Sequence, residues 1–455
     1  MRQILIIILC SIGINLVGQI PNSISKSEKI YGLSKFWQEV NYNFVYLNKI
    51  DKEKWDNDYK NLITEVQETK NDYEYYRLLQ KFCATLKDGH TNIYFPDTIQ
   101  NILHNTYFGE YRLFLTNIND KAIVTRINAS KKNEIPIGTE IIRVNGMSTK
   151  QFLEKEVMPY ISSSTDYILN DIAINKMFQA PKGTDFNIVF KLPNGEIKEL
   201  ELTHDNVIEK EVYPEFEDWQ LFGFKWMDEE TAYVSLNSFG DPKINALFEE
   251  KLPELYKARK LIIDLRKNGG GNTYIGRKIF EYLTNDTLLY GSKTQSRLHI
   301  PTFKAWGKWT EEKDTIGNKW ATQGYLSYHD NFFHDFPYEA DSIELKANRI
   351  VVPTVILIGH NTASAAEDFL IYTENQNHMI KIGEPTFGST GQPMLFDLPG
   401  GGSARVCTKK DTYPNGKEFV GYGIQPDIEI KKTLNDYLEK EDPVLQKALN
   451  YLKKK

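Results

Sequence analysis

The chain has little of what would place it in several common classes. Three cysteines in 455 residues cannot staple a disulfide scaffold. Cys10 falls within the apolar start, leaving Cys83 and Cys407, between which one disulfide is open but not required. Neither Cys-x-x-Cys nor His-Glu-x-x-His occurs, so no metal site is indicated and no cofactor is expected. Basic charge is in deficit. Lys and Arg number 55 against 61 Asp and Glu, a formal charge of −6, which argues against nucleic acid or anionic lipid as a partner. Beyond the N-terminus no apolar run approaches the ~18 residues of a membrane-spanning helix. Internal repeats and low-complexity tracts are also missing, and nothing in the pattern sets the oligomeric state.

What is present begins with Met1-Arg2-Gln3, the apolar stretch Ile4 to Val17, and Gly18. A short basic start, an apolar segment and a small residue make residues 1–18 a signal peptide, with an uncleaved anchor as the alternative. Export to the periplasm or the exterior is therefore expected. Cleavage would remove only Arg2 among the charged residues and shift the formal charge from −6 to −7.

The remainder is long enough for two to four domains. Residues 23–100 carry apolar positions at helical spacing, among them Leu33, Trp37, Val40 and Phe44, and predict a small helical domain. Residues 106–205 change to short strands, including Tyr111 to Leu115, Ala122 to Ile127, Glu140 to Val144 and Phe186 to Leu192. Residues 210–435 alternate strands and helices and predict an α/β core, with 436–455 as a C-terminal helix or tail. Within that core, Tyr290 to Asn348 is rich in Trp, Tyr, His and Phe, suited to line a cleft or to pack an excursion.

Three segments carry chemistry. Val351 to Gly359 reads as a buried strand, and Thr362-Ala363-Ser364-Ala365-Ala366-Glu367 follows it, placing Ser364 at a strand-to-helix junction. A serine there is either a helix N-cap or a nucleophile whose next amide faces a developing oxyanion. Lys260 to Leu265 is a second buried strand and ends in Asn268-Gly269-Gly270-Gly271. No lysine and Ser/Thr pair follows these glycines, so they are not a phosphate-binding P-loop. Ile380 to Gln392 is a third strand, running into a glycine-punctuated turn.

In this order, and with Gly423-Ile424-Gln425-Pro426-Asp427 near the C-terminus, the segments resemble the tail-specific or C-terminal-processing serine peptidases. The resemblance implies a crotonase-like α/β protease core, Ser364 as nucleophile, and oxyanion donors from Ala365 and one of Gly270 or Gly271. The strand Gly138 to Asn145-Gly146 also resembles part of a PDZ domain, implying a PDZ-like domain over 106–205. Such a domain captures peptide tails at a sheet edge, whereas a β-rich lid would only gate the site.

One departure from the family pattern is informative. The lysine base of the Ser/Lys branch would stand 25 residues after Ser364, and Ser389 occupies that position. A serine needs an adjacent base. His90, in Asp88-Gly89-His90-Thr91, fits the histidine-containing, tricorn-core-like branch that the resemblance then implies. The supporting carboxylate is Glu367 by family analogy, with Glu384 and Glu418 as further candidates and Ser389 as a supporting hydroxyl. The expected activity is hydrolysis of peptide bonds in protein or peptide substrates, by an exported enzyme without an integral membrane segment once the signal is removed. The alternative is a catalytically inactive peptide- or ligand-binding module on the same fold.

Overall fold

A computed structural model describes residues 20–455, so the expected signal peptide lies outside the described residues. The first helix, α1 (Lys26–Asn43), starts where Ser25 and Glu28 form a capping box, which satisfies amides that the helix leaves unpaired. Asp51 and Asn71 cap α2 (Lys52–Glu68) and α3 (Asp72–Ala84) with side-chain oxygens that accept from the Lys54 and Glu74 amides. The helical chain then turns at Leu86–Thr91 and ends in a short strand, β1 (Asn92–Tyr94).

The β-rich part follows as β2 (Tyr111–Ile118), β3 (Lys121–Asn128), β4 (Glu140–Val144), α4 (Asp166–Asn175), β5 (Asp185–Lys191) and β6 (Ile197–Thr203). Its sheet runs β6-β5-β4-β3-β2, extended by the two-residue strands Tyr107–Phe108, Met147–Ser148 and Val212–Tyr213. Alternating burial along β5 turns Phe186, Ile188 and Phe190 inward onto a core of their own with Phe108, Phe152 and Phe178.

The third part is a six-stranded sheet in the order β7 (Phe222–Trp226), β8 (Thr231–Leu236), β9 (Lys260–Asp264), β10 (Thr354–Ile358), β11 (Met379–Gly383) and a final short strand, Ile428–Glu429. Only the β7–β8 pair is antiparallel. Both faces of β9 and β10 are covered, which is why these strands read as continuous apolar runs rather than alternating ones. One face carries α5 (Thr273–Phe280) and the helix Ala365–Tyr372, and the other carries the C-terminal helix Pro443–Leu452. The aromatic excursion holds two helices, α6 (Pro301–Gly307) and α7 (Lys319–Tyr328), packed on each other, and its strand Lys293–Arg297 pairs with Phe333–Asp335. No helix among the described residues is long and apolar enough to cross a membrane.

Cys83 and Cys407 are buried free thiols, so the disulfide left open by the sequence is not formed. They are far apart in the chain, yet both belong to one apolar cluster that merges the helical part with the six-stranded part. They flank Thr91, whose carbonyl accepts from Cys83 Sγ and whose hydroxyl accepts from the Cys407 amide.

Candidate active site

Strands β9 and β10 are parallel neighbours, with Asp264 opposite Leu357, so the turns that leave their C-terminal ends emerge side by side. That is where an open α/β sheet presents ligand-binding groups. Asn268 locks the two turns together. Its side chain donates to the Leu236 carbonyl and accepts from the Gly270 amide at 2.9 Å, while its carbonyl accepts from Ala363. Gly270 and Gly271 have φ of +97° and +137°. A Cβ on Gly270 would sit 2.7 Å from the Ser364 Cβ, and one on Gly271 would overlap the Phe239 backbone, so both positions require glycine.

Ser364 itself has φ 56° and ψ −121°, a conformation that costs a non-glycine residue roughly 1–3 kcal/mol and that clusters at functional sites. The strain is held by Thr362, which bonds Leu265 and Gly359, and by Glu367. The Ala365 and Gly271 amides have no acceptor among the described residues, whereas the Gly270 amide is occupied by Asn268.

His90 reaches this region from the other end of the chain. β1 pairs with the strand Ser403–Cys407, Asn92 lying opposite Arg405, and this register carries the preceding turn onto the core. The turn is fixed from beneath by buried Asp88, which accepts from the Thr91 hydroxyl at 2.6 Å, and by Gly89, which donates to Ser164. Burial raises the Asp88 carboxyl to about 6 against the pull of the Thr91 hydroxyl, Arg405 and the His90 amide. His90 Nδ1 lies 2.7 Å from Ser389 Oγ. No hydrogen bond joins His90 to Ser364, and Nε2 has no partner among the described residues. Burial, with Arg405 and Lys409 nearby, lowers the imidazole to about 4 despite Asp411.

Glu367 is fully buried. Oε1 accepts from the Thr386 hydroxyl at 2.5 Å and the Gly388 amide at 2.8 Å; Oε2 accepts from Ser364 at 3.0 Å and Ser389 at 3.3 Å. Burial pushes the carboxyl up to about 8, but three of its four neighbours are amides that can only donate, and the fourth, the Thr386 hydroxyl, already accepts from Ile424. The geometry therefore suits the carboxylate. Its place is between the backbones of Ser364 and Ser389, and it makes no hydrogen bond to His90.

Residues 230–430 match Peptidase family S41. The matched stretch runs through the core from β8 to the last short strand. A carboxyl-terminal-processing protease of Picosynechococcus sp. is 23% identical over 252 residues, 54% of this chain and 49% of that protein, so the match spans about half of the relative. The protein of the same name from Synechocystis sp. is 21% identical over 450 residues, covering 96% of this chain and 90% of the relative. Mature CPAF complexed with lactacystin shares the fold, with a TM-score of 0.66 at 14% identity over 94% of this chain and 99% of that one.

The other two carboxylates do not join this group. Glu384 lies 3.9 Å from His360 Nε2, in a separate group with Asp171. Glu418 is paired with Lys49 at 2.9 Å and Lys410 at 2.7 Å, which holds its carboxyl below the usual range. Sequence reasoning passed over Asn268 and Thr386. The only signal for Asn268 is its place between a buried strand and three glycines. Thr386 also accepts from the Ile424 amide, so the Gly423 to Asp427 motif buttresses the turn that presents Ser389.

Proposed function

We propose that this chain is an exported serine endopeptidase in which Ser364 attacks a peptide carbonyl and His90 takes its proton. The single observation that carries this reading is Ser364 in a strained strand-to-helix turn packed against a glycine turn, with the Ala365 and Gly271 amides unoccupied. These amides are the oxyanion donors; Gly270 shapes the hole rather than donating to it. Ser389 stands where the Ser/Lys branch has its lysine and accepts a hydrogen bond from Nδ1–H of His90, which leaves Nε2 as the basic nitrogen. This is the tautomer a histidine base needs. Glu367 positions both Ser364 and Ser389 through their backbones. On the same reading the core is crotonase-like over 210–435, the β-rich part over 106–205 is PDZ-like, and residues 1–18 direct export. Substrates are proteins or peptides, with cleavage near C-termini suggested by the names of the two curated relatives.

The test is labelling of the purified chain by a fluorescent phosphonofluoridate, beside Ser364→Ala and His90→Ala. Labelling of the parent chain that vanishes in both variants is the expected result. A folded parent that never labels would favour the inactive binding module, a reading to which the present His90–Ser389 bond, without a His90–Ser364 bond, lends its support.

A further inference from the structure

A cavity of about 1330 Å³ opens between the helical and β-rich parts and reaches Gly89 and Phe387, the neighbours of His90 and Ser389. Arg77 and Arg405 both line it. Arg77 is stacked 3.5 Å from the Tyr160 ring centroid and bonds only Gln80, at 3.3 Å. Arg405 donates to the Asn92 side chain and to the Gly89 carbonyl. Neither guanidinium has a carboxylate within ion-pair distance among the described residues, and Arg77 Nη2 and Arg405 Nη1 donate to nothing there. A third cation, Lys176, lines the same cavity. Its acidic residues Glu65, Glu68 and Glu156 are solvent-exposed, as is Lys176, and Glu74 Oε2 accepts from the Lys70 amide.

Both guanidinium groups are partly buried, Arg77 against the Tyr160 ring, and each keeps donors free that a carboxylate can accept from. The lining carries three cations against four carboxylates, so the pull on an acidic ligand comes from the two arginines and not from the net charge of the cavity. We infer that this cavity is a substrate subsite that takes the acidic side chains of an extended peptide, with Arg77 and Arg405 as specificity-determining residues. The planar fork of each arginine matches a carboxylate in geometry, and partial exclusion of water strengthens the contact. Because Arg405 also holds the carbonyl that precedes His90, an acidic residue seated here would lie close to the histidine turn. This inference rests on the peptidase reading, but its test does not depend on turnover.

Two fluorescein-labelled, C-terminally amidated decapeptides, one alternating Ala and Glu and the other Ala and Gln, are titrated against the Ser364→Ala chain by anisotropy at low salt. Amidation removes the terminal carboxylate, so only side-chain charge is read. The Glu peptide should bind at least ~10-fold more tightly, with the advantage falling several-fold in Arg77→Gln and in Arg405→Gln and shrinking as salt is raised. Arg77→Lys and Arg405→Lys, with melting curves for all four variants, separate lost charge from lost fold: the Lys variants should keep part of the preference. Equal affinity for both peptides, or a preference that survives in a folded double Gln variant, overturns the assignment. Phosphonofluoridate labelling reports separately on the serine, so a silent nucleophile and a non-selective cavity are told apart.

Discussion

The helical and β-rich parts both abut the six-stranded core, but they are attached to it by different physics. α1–α3 share one continuous apolar cluster with the core, so Phe36, Tyr76 and Phe82 are packed in the same body as Phe239 and Phe369. The β-rich part has its own cluster and meets the core largely through hydrogen bonds: Asp171 to His360, Tyr167 to the Thr386 carbonyl, and Tyr437 to the Thr125 carbonyl. A shared apolar core cannot separate without exposing large area to water, whereas individual hydrogen bonds contribute only about 1 kcal/mol net each. His90 is carried by the fused part. A base that must keep register with a nucleophile 274 residues away in sequence is thus placed where relative movement is most costly.

The sharpest way to break this contrast is Glu367→Ala, at the centre of the fused part. It strands three buried amides and a hydroxyl, and should lower stability by about 3–5 kcal/mol and hydrolysis by roughly 10³-fold as Ser364 and Ser389 lose their common anchor. Denaturant titration and serine labelling read the two effects; a variant that melts and labels like the parent would disprove the hub. A paired experiment comes next. Phe36→Ala and Phe178→Ala each delete a fully buried ring, one in each core, and each should cost about 3–5 kcal/mol. Their consequences should diverge: Phe36→Ala weakens serine labelling together with the global melt, while Phe178→Ala produces an early separate transition and leaves labelling intact at temperatures between the two.

Much of the core side of this arrangement was legible in the sequence, because local patterns determine it. The continuous apolar runs at Leu261–Leu265 and Thr354–Ile358, the glycines after the first and the serine after the second each encode a turn within a few residues. The strand expected at Glu140 to Val144 has those bounds in the structure, while the one expected at Tyr111 to Leu115 runs on to Ile118 because edge pairing with β3 continues to Lys121. What no local pattern carries is direction. Glu367 at i+3 of Ser364 lies on the correct face for several partners, and only the fold of the Gly383 to Ser389 turn makes those partners backbone amides rather than a histidine. Similarly, Glu384 is a further candidate for the supporting carboxylate in the sequence, but β11 delivers it to His360 and Asp171 instead.

A smaller effect tests how firmly the fused part sets the chemistry of His90. With the imidazole held near 4, the acid limb of kcat/KM should be half-maximal near that pH and not near the ordinary 6.5. Arg405→Gln removes one of the causes and should move the limb upward. Stability follows the same linkage: between 6.5 and about 4 the unfolded chain binds the proton that folded His90 refuses, so His90 makes stability fall as pH drops through this window. An acid limb that stays near 6.5 would mean that His90 is solvated in the working enzyme, and would loosen the claim that its turn is rigidly seated.

The smallest expected effect belongs to the β-rich part, and it has the opposite sign. His360 Nδ1 lies 2.5 Å from Asp171, Tyr167 stacks on the ring at 4.7 Å, Glu384 faces Nε2, and Lys431 opposes them. Although burial lowers it, Asp171 and Glu384 together hold the imidazole above its ordinary value. The protonated pair therefore contributes its full stability below pH 6.5 and loses it as pH rises through the raised folded value. Asp171→Asn should cost only about 1 kcal/mol, because the pair is partly solvated, and only on the acidic side. Differential melting of parent and variant at pH 5.5 and pH 8.5 checks this. A deficit confined to acid, and to the transition of the β-rich part, would show an attachment that individual polar contacts hold and that pH can loosen; a deficit equal at both pH values would mean that the pair acts through packing, and that the two attachments differ less than their cores suggest.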